Sequence, residues 1–202
     1  MGEWDELADD FEIEKTVSSL KANGINAFVA GNAEEARKKV LELIPEGAEV
    51  MNMTSATLES AGIAKEIIES GKFDSVRKKF AAMDKSRESE KRKLGAAPDW
   101  AVGSVHAVTQ DGKVLVASAT GSQLPAYAYG AGKVIWVVGT QKIVKNLGEA
   151  FKRLEEYVFP LEDARAKKAY GVGSGINKIL IVNKEFMPER ITLVFVKEKL
   201  GF

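Results

Sequence analysis

Three short polar clusters, each directly behind an apolar run, carry the residues best suited to chemistry. The first is Thr54-Ser55-Ala56-Thr57, with Glu59 close behind, after a run that ends at Met53. Its hydroxyls and the free N–H groups of a helix start could hold a carboxylate or phosphate, and Ser and Thr are equally the ordinary caps of a helix. The second is Ser118-Ala119-Thr120-Gly121-Ser122-Gln123, which follows Val114 to Ala117 and precedes Pro125. Gly121 would let the backbone approach a ligand closely, while Thr120 and Ser122, with Gln123 beside them, add polar groups. The spacing is neither that of a Walker loop nor that of a dinucleotide fingerprint, and a capped turn has the same composition. The third, Gly139-Thr140-Gln141-Lys142, follows the most apolar stretch of the chain. There Lys142 could pair with a ligand's carboxylate or phosphate, or stand as a surface lysine beside a turn. The ligand-binding candidates are therefore Thr54, Ser55, Thr57, Thr120, Gly121, Ser122, Gln123, Thr140 and Lys142.

Acid–base candidates are few. His106 is the single histidine, with an ordinary pKa near neutrality, and it would serve as a general acid or base or as a structural residue of a strand. Glu59 and Asp111 are the carboxylates nearest the polar clusters, and Asp111 also suits a tight turn. The stretch Gly171-Val172-Gly173-Ser174-Gly175 reads as a loop or a lid.

Composition narrows the chemistry further. The chain has 202 residues, enough for one domain with a real core, and no cysteine. A thiolate nucleophile, a disulfide framework, a Cys zinc site and a Cys-ligated iron–sulfur cluster are all excluded. With one histidine, any metal site would have to be carboxylate-rich; no metal or cofactor is expected. Lys+Arg and Asp+Glu both number 29, so the chain as a whole has no pull on nucleic acid or an anionic membrane. No apolar run reaches membrane-spanning length, and the acidic start lacks a signal-peptide layout, so a cytoplasmic location is expected.

The elements that must position these residues follow a βαβ rhythm. An amphipathic helix over Asp5 to Leu20 ends at Gly24, and Ile25 to Val29 is a short strand. Asn32-Ala33-Glu34-Glu35 opens a helix that stops at Pro45, and a strand follows over Ala48 to Met53. Residues 72–97 form a charged, helical, possible insert. Within it Lys72 to Lys93 holds nine basic residues against four acids, which makes it a cationic surface or simply a solvated face and the stretch expected to be least ordered. Trp100 to Thr109 and Val114 to Ala119 flank Gln110-Asp111-Gly112-Lys113 as an antiparallel hairpin. Lys133 to Val138 reads as a strand covered on both faces, and Asn146-Leu147-Gly148-Glu149 opens another helix. Ile179 to Val182 and Ile191 to Val196 complete the strands of one domain spanning 1–202.

The stretch from Val102 through His106 to Gly112, continuing into Ser118-Ala119-Thr120-Gly121-Ser122-Gln123, resembles the core of the LUD-domain family, the lactate-utilization protein C-like proteins. Gly130 to Val144, Tyr157 to Arg165 and Val196 to Phe202 are similar to that family as well, as is Ser55-Ala56-Thr57-Leu58-Glu59. The resemblance implies a three-layer α/β/α sandwich like that of sugar-phosphate isomerases and CoA transferases, mostly parallel with an antiparallel hairpin. It also implies a part in oxidising L-lactate to pyruvate with iron–sulfur partner proteins, through binding of a small organic anion. Where many relatives have a Glu before the hairpin glycine, this chain has Asp111. Two other readings stay open: a stand-alone isomerase- or acyl-transferase-type enzyme using Glu59 or Asp111, and a non-catalytic scaffold. Because each follows an apolar strand, Thr54 to Thr57, Thr120 to Gln123 and Thr140 to Lys142 are expected to meet at one edge of the sheet.

Overall fold

The computed structural model describes residues 3–202. Helix starts are set by side-chain caps. Asp9 accepts from the Glu12 N–H at 2.8 Å while the Glu12 carboxylate accepts from the Asp9 N–H, so α1 runs from Asp10 to Ala22 rather than from Asp5. Asn32 caps α2 (Ala33–Leu43), and Asn146 caps α7 (Leu147–Arg153), each through the N–H of the glutamate three residues on.

The main sheet has six strands in the order β1-β10-β7-β4-β2-β3, every pair parallel. These are β1 (Asn26–Ala30), β2 (Glu49–Asn52), β3 (Asp74–Ser75), β4 (Trp100–Gly103), β7 (Lys133–Gly139) and β10 (Ile191–Val196). β10 lies between β1 and β7 and is buried along its whole length. A second sheet of four strands, β8-β5-β6-β9, contains β5 (Ala107–Thr109), β6 (Val114–Ser118), β8 (Ile143–Val144) and β9 (Lys178–Val182). The β5–β6 hairpin is antiparallel, and Gly112 takes φ 81° in its turn.

Apolar packing on both faces explains the continuous apolar runs. One face of the main sheet presents Val102, Ile135, Val137 and Val194 to α2, α3 (Ala56–Ser60) and α4 (Ile63–Glu69), through Val40, Leu58, Ile63 and Ile67. The other face packs Trp136, Val138 and Phe195 with Leu20 of α1, Val76 of α5 (Val76–Ala82), and Val114 and Val116 of the small sheet. Leu115 and Ala117, alternating with those valines, turn to a third cluster with Ala150, Leu154 and Val158. The result is a mixed α/β fold with a mostly parallel central sheet flanked by helices, as in a three-layer α/β/α sandwich.

One segment differs from the sequence reading. Trp100 to Thr109 is not one strand: it leaves the main sheet after Gly103, crosses through Ser104-Val105-His106, and enters the small sheet at Ala107. Gly103 leaves room for Tyr127 at this point, since a Cβ there would lie 1.7 Å from the Tyr127 hydroxyl. The charged stretch is helical, as α5 and α6 (Glu88–Ala96), with Phe80 and Leu94 packed against the core. Several of its charges are paired, Lys79 with both Glu49 (2.6 Å) and Asp74 (2.5 Å).

Candidate functional site

A cleft of about 370 Å³ opens where β2, β4 and β6 end, closed on its far side by α8 (Phe159–Tyr170) and the Gly171–Gly175 loop. Thr54, Ser55 and Thr57 line it from one side, Thr120, Ser122 and Gln123 from another, and Lys142 and His106 from between. The three polar clusters thus face one space. In parallel α/β sheets the carboxyl ends of strands are where such spaces form.

Lys142 sits at the centre. Its position follows from the 3-10 turn Thr140–Lys142 that ends β7 and turns the side chain inward, leaving it 2% exposed. Nζ donates to Thr57 Oγ1 at 3.0 Å, Ser104 Oγ at 3.2 Å and the Val105 carbonyl at 3.2 Å. All of these acceptors are neutral. Burial, and then the charge of Arg153, lower its pKa to about 7. Thr57 in turn donates to the Leu200 carbonyl at 3.2 Å, which ties the end of the chain into the site.

His106 stands in the crossing segment between the sheets. Its Nδ1 accepts from the Ala117 N–H at 3.1 Å, which assigns the remaining proton to Nε2. Burial, Lys142 and Arg153 hold its pKa far below the usual value, at about 3. The ring is therefore neutral at physiological pH.

Arg153 and Ser104 complete the electrostatics, and neither was singled out from the sequence. Arg153 is fully buried, donates through Nη1 to the His106 carbonyl at 2.6 Å, and lies 5.3 Å from the centre of the Tyr157 ring. Its Nε and Nη2 have no partner among the described residues, and burial lowers its pKa to about 10. One signal was available: Arg153 stands three residues after Ala150 and next to Leu154, on the apolar face of its helix. Ser104 offered none, because it interrupts what reads as an unbroken strand. The carboxylate on the cleft wall, Glu162, is engaged by Arg165 in two bonds of 2.7 Å. The floor therefore carries positive charge with no acid bonded to it.

The Ser118–Gln123 turn satisfies its own groups. Ser118 Oγ accepts from the Gly121 N–H at 2.8 Å and donates to Gln123 Oε1 at 2.9 Å, and Thr120 Oγ1 accepts from the Ser122 N–H at 3.3 Å. Gly121 takes φ 84° and does not line the cleft, its Cα being covered by the Lys178 side chain. Thr140 is buried away from the cleft, Glu59 is exposed on α3, and Asp111 accepts from Thr109 and Lys113 in the hairpin turn. None of these three residues lines the cleft.

Wide π-type turns shape the walls. Ala126–Gly130 carries Tyr127, which lines the cleft and meets the buried Trp136 edge-on at 5.5 Å on its core side. Arg190 clamps the same turn by donating to the Ala126, Tyr127 and Ala131 carbonyls. Leu154–Val158 forms the other such turn, and both its end residues line the cleft. Single π turns inside helices recur at functional sites, because the extra residue re-aims neighbouring side chains. Among the described residues no helix is long and apolar enough to cross a membrane, and no group of three or more His, Asp or Glu side chains could hold a metal.

The model of the LUD domain matches residues 13–196. Among solved structures, the crystal structure of a DUF162 family protein from Deinococcus radiodurans is similar, with a TM-score of 0.59 at 10% identity. The alignment covers 95% of this chain and 99% of that one, a likeness of fold. No curated protein matches the chain in sequence. With the family model spanning nearly the whole fold, from α1 through the last strand, the chain belongs to the LUD domain family.

Proposed function

We propose that the cleft binds a small organic anion, with Lys142 as its counter-charge, in the service of lactate or related hydroxy-acid metabolism in the cytoplasm. The observation that carries this reading is a buried ammonium group that faces a cleft and has only neutral partners. Burying a cation without a counter-charge is costly, and an arriving carboxylate supplies the missing partner. The hydroxyls of Thr57 and Ser104 orient the amine, and the fully buried Arg153 behind His106 adds to the positive potential. Family membership supports a lactate-utilization-related role at the family level. Since the chain has no cysteine, electrons leaving lactate would travel through iron–sulfur partner proteins rather than through this chain.

The test is calorimetry of the purified protein with L-lactate, pyruvate and a sugar phosphate. Binding of at least one of these, weakened about ten- to a hundredfold in Lys142→Met while the variant melts as a folded protein, is the expected result. Absence of binding by the wild type to any of them would return the cleft to a structural role.

A further inference from the structure

The cleft has chemically different ends, and only one of them is needed to hold a three-carbon acid. Its deep end is polar and cationic, built from Thr57, Ser104 and Lys142. The cleft also has an apolar part, from Leu154 and Val158 of the π turn with Phe159 and Ile176. At the rim stand Tyr170 and Val172, which line the cleft yet are 62% and 66% exposed. An apolar lip left in water beside an apolar wall is surface awaiting cover.

The volume points the same way. About 370 Å³ lies within the roughly 300–1,000 Å³ typical of sites that enclose drug-sized ligands. L-lactate would occupy the deep end alone and leave the apolar wall wet. Nor does that wall offer a second charge, because Arg165 is neutralised by Glu162 and its guanidinium lies 5.7 Å from the Tyr170 ring.

We propose that the preferred ligand is a carboxylate with an apolar body, a medium-chain or aryl 2-hydroxy or 2-oxo acid, its carboxylate at Lys142 and its body along Val158, Phe159 and Ile176 to the Tyr170–Val172 lip. This rests on the anion reading of the cleft and adds to it the class of ligand. The body contributes by hydrophobic burial, and the head group fixes the direction of entry.

The experiment titrates the whole chain by calorimetry with L-lactate, 2-hydroxyhexanoate and 2-hydroxyoctanoate at a pH below 7, with 1,2-octanediol as a chain lacking the carboxylate. Affinity is expected to climb about fourfold for each added methylene, the increment that burial of a CH₂ supplies. The diol should bind about ten- to a hundredfold more weakly than 2-hydroxyoctanoate, the worth of the charged contact it lacks. A Tyr170→Ala, Val172→Ser double variant, altered only at exposed positions, should flatten the chain-length gain. Equal affinity along the series, or tighter binding of a sugar phosphate than of the octanoate, would overturn the proposal while leaving the anion site standing. Retention of the full gain in the double variant would overturn the placement of the body at the lip. If no acid binds at all, lactate included, the anion site itself has failed and this proposal falls with it.

Discussion

Lys142 carries a charge that depends on what lies beside it. With the cleft free, burial and Arg153 hold its pKa at about 7, against the usual 10.5. A bound carboxylate favours the ammonium form and raises that value, so binding takes up a proton. The sign follows: anion affinity is full below pH 7 and falls up to tenfold per unit as pH rises above it, until the pKa of the complex is reached. Calorimetry in buffers of different ionisation enthalpy would show the proton uptake directly, and Lys142→Met should abolish both the uptake and the slope. Its loss of affinity should be about ten- to a hundredfold, the worth of a charged hydrogen bond of roughly 1.5–3 kcal/mol. His106 gives a contrasting expectation. Held neutral, it contributes no charge to binding, so His106→Asn, which keeps an acceptor for the Ala117 N–H, should leave the pH profile of affinity unchanged.

Elements differed in how plainly the sequence announced them. β7 and β10 stood out because strands covered on both faces must be apolar throughout, and the helix caps at Asn32 and Asn146 are local chemistry. The insertion of β10 between β1 and β7 left no local trace, since which strands pair is settled by packing far along the chain. The break after Gly103 was equally silent: Val102, Val105 and Val108 keep an apolar pattern straight through a segment that changes sheets. The place of Ser104 beside Thr57 and Lys142 depends on that break, so a meeting of the polar clusters could be expected from the strands they follow, while the part of Ser104 could not. Two predictions belong at this level. Gly103→Ala should destabilise the fold by about 1–3 kcal/mol, as overpacking does, and Tyr127→Phe should recover part of that by removing the hydroxyl in the way; paired denaturant melts would show it. Limited trypsin digestion should cut first between Lys85 and Lys93, where the 3-10 turn and the start of α6 are exposed and bury little.

For the molecule as a whole, the buried bases set an unusual response to pH. His106 binds a proton near pH 6.5 in the unfolded chain and only near pH 3 in the fold. Lys142 does so near 10.5 unfolded and near 7 folded. In both windows the unfolded chain holds more protons, so stability rises with pH through each. Melting temperatures are therefore expected to increase from pH 4 to pH 6, and again from pH 8 to pH 9.5, with Lys142→Met removing the second rise and His106→Asn reducing the first. The crossing segment Ser104–His106 has a further consequence at this scale. Like Thr140–Lys142 after β7, it carries the chain from the parallel sheet to the small one at the cleft, and it is bonded at once to the turn after β7 through Lys142, to helix α7 through Arg153, and to β6 through His106. A ligand resting on it would touch both sheets together and act as a rivet between them. Occupancy should then slow amide exchange far beyond the contact residues, in the ends of β4 and β6 and the turn after β7, so that the two halves breathe as one body rather than two.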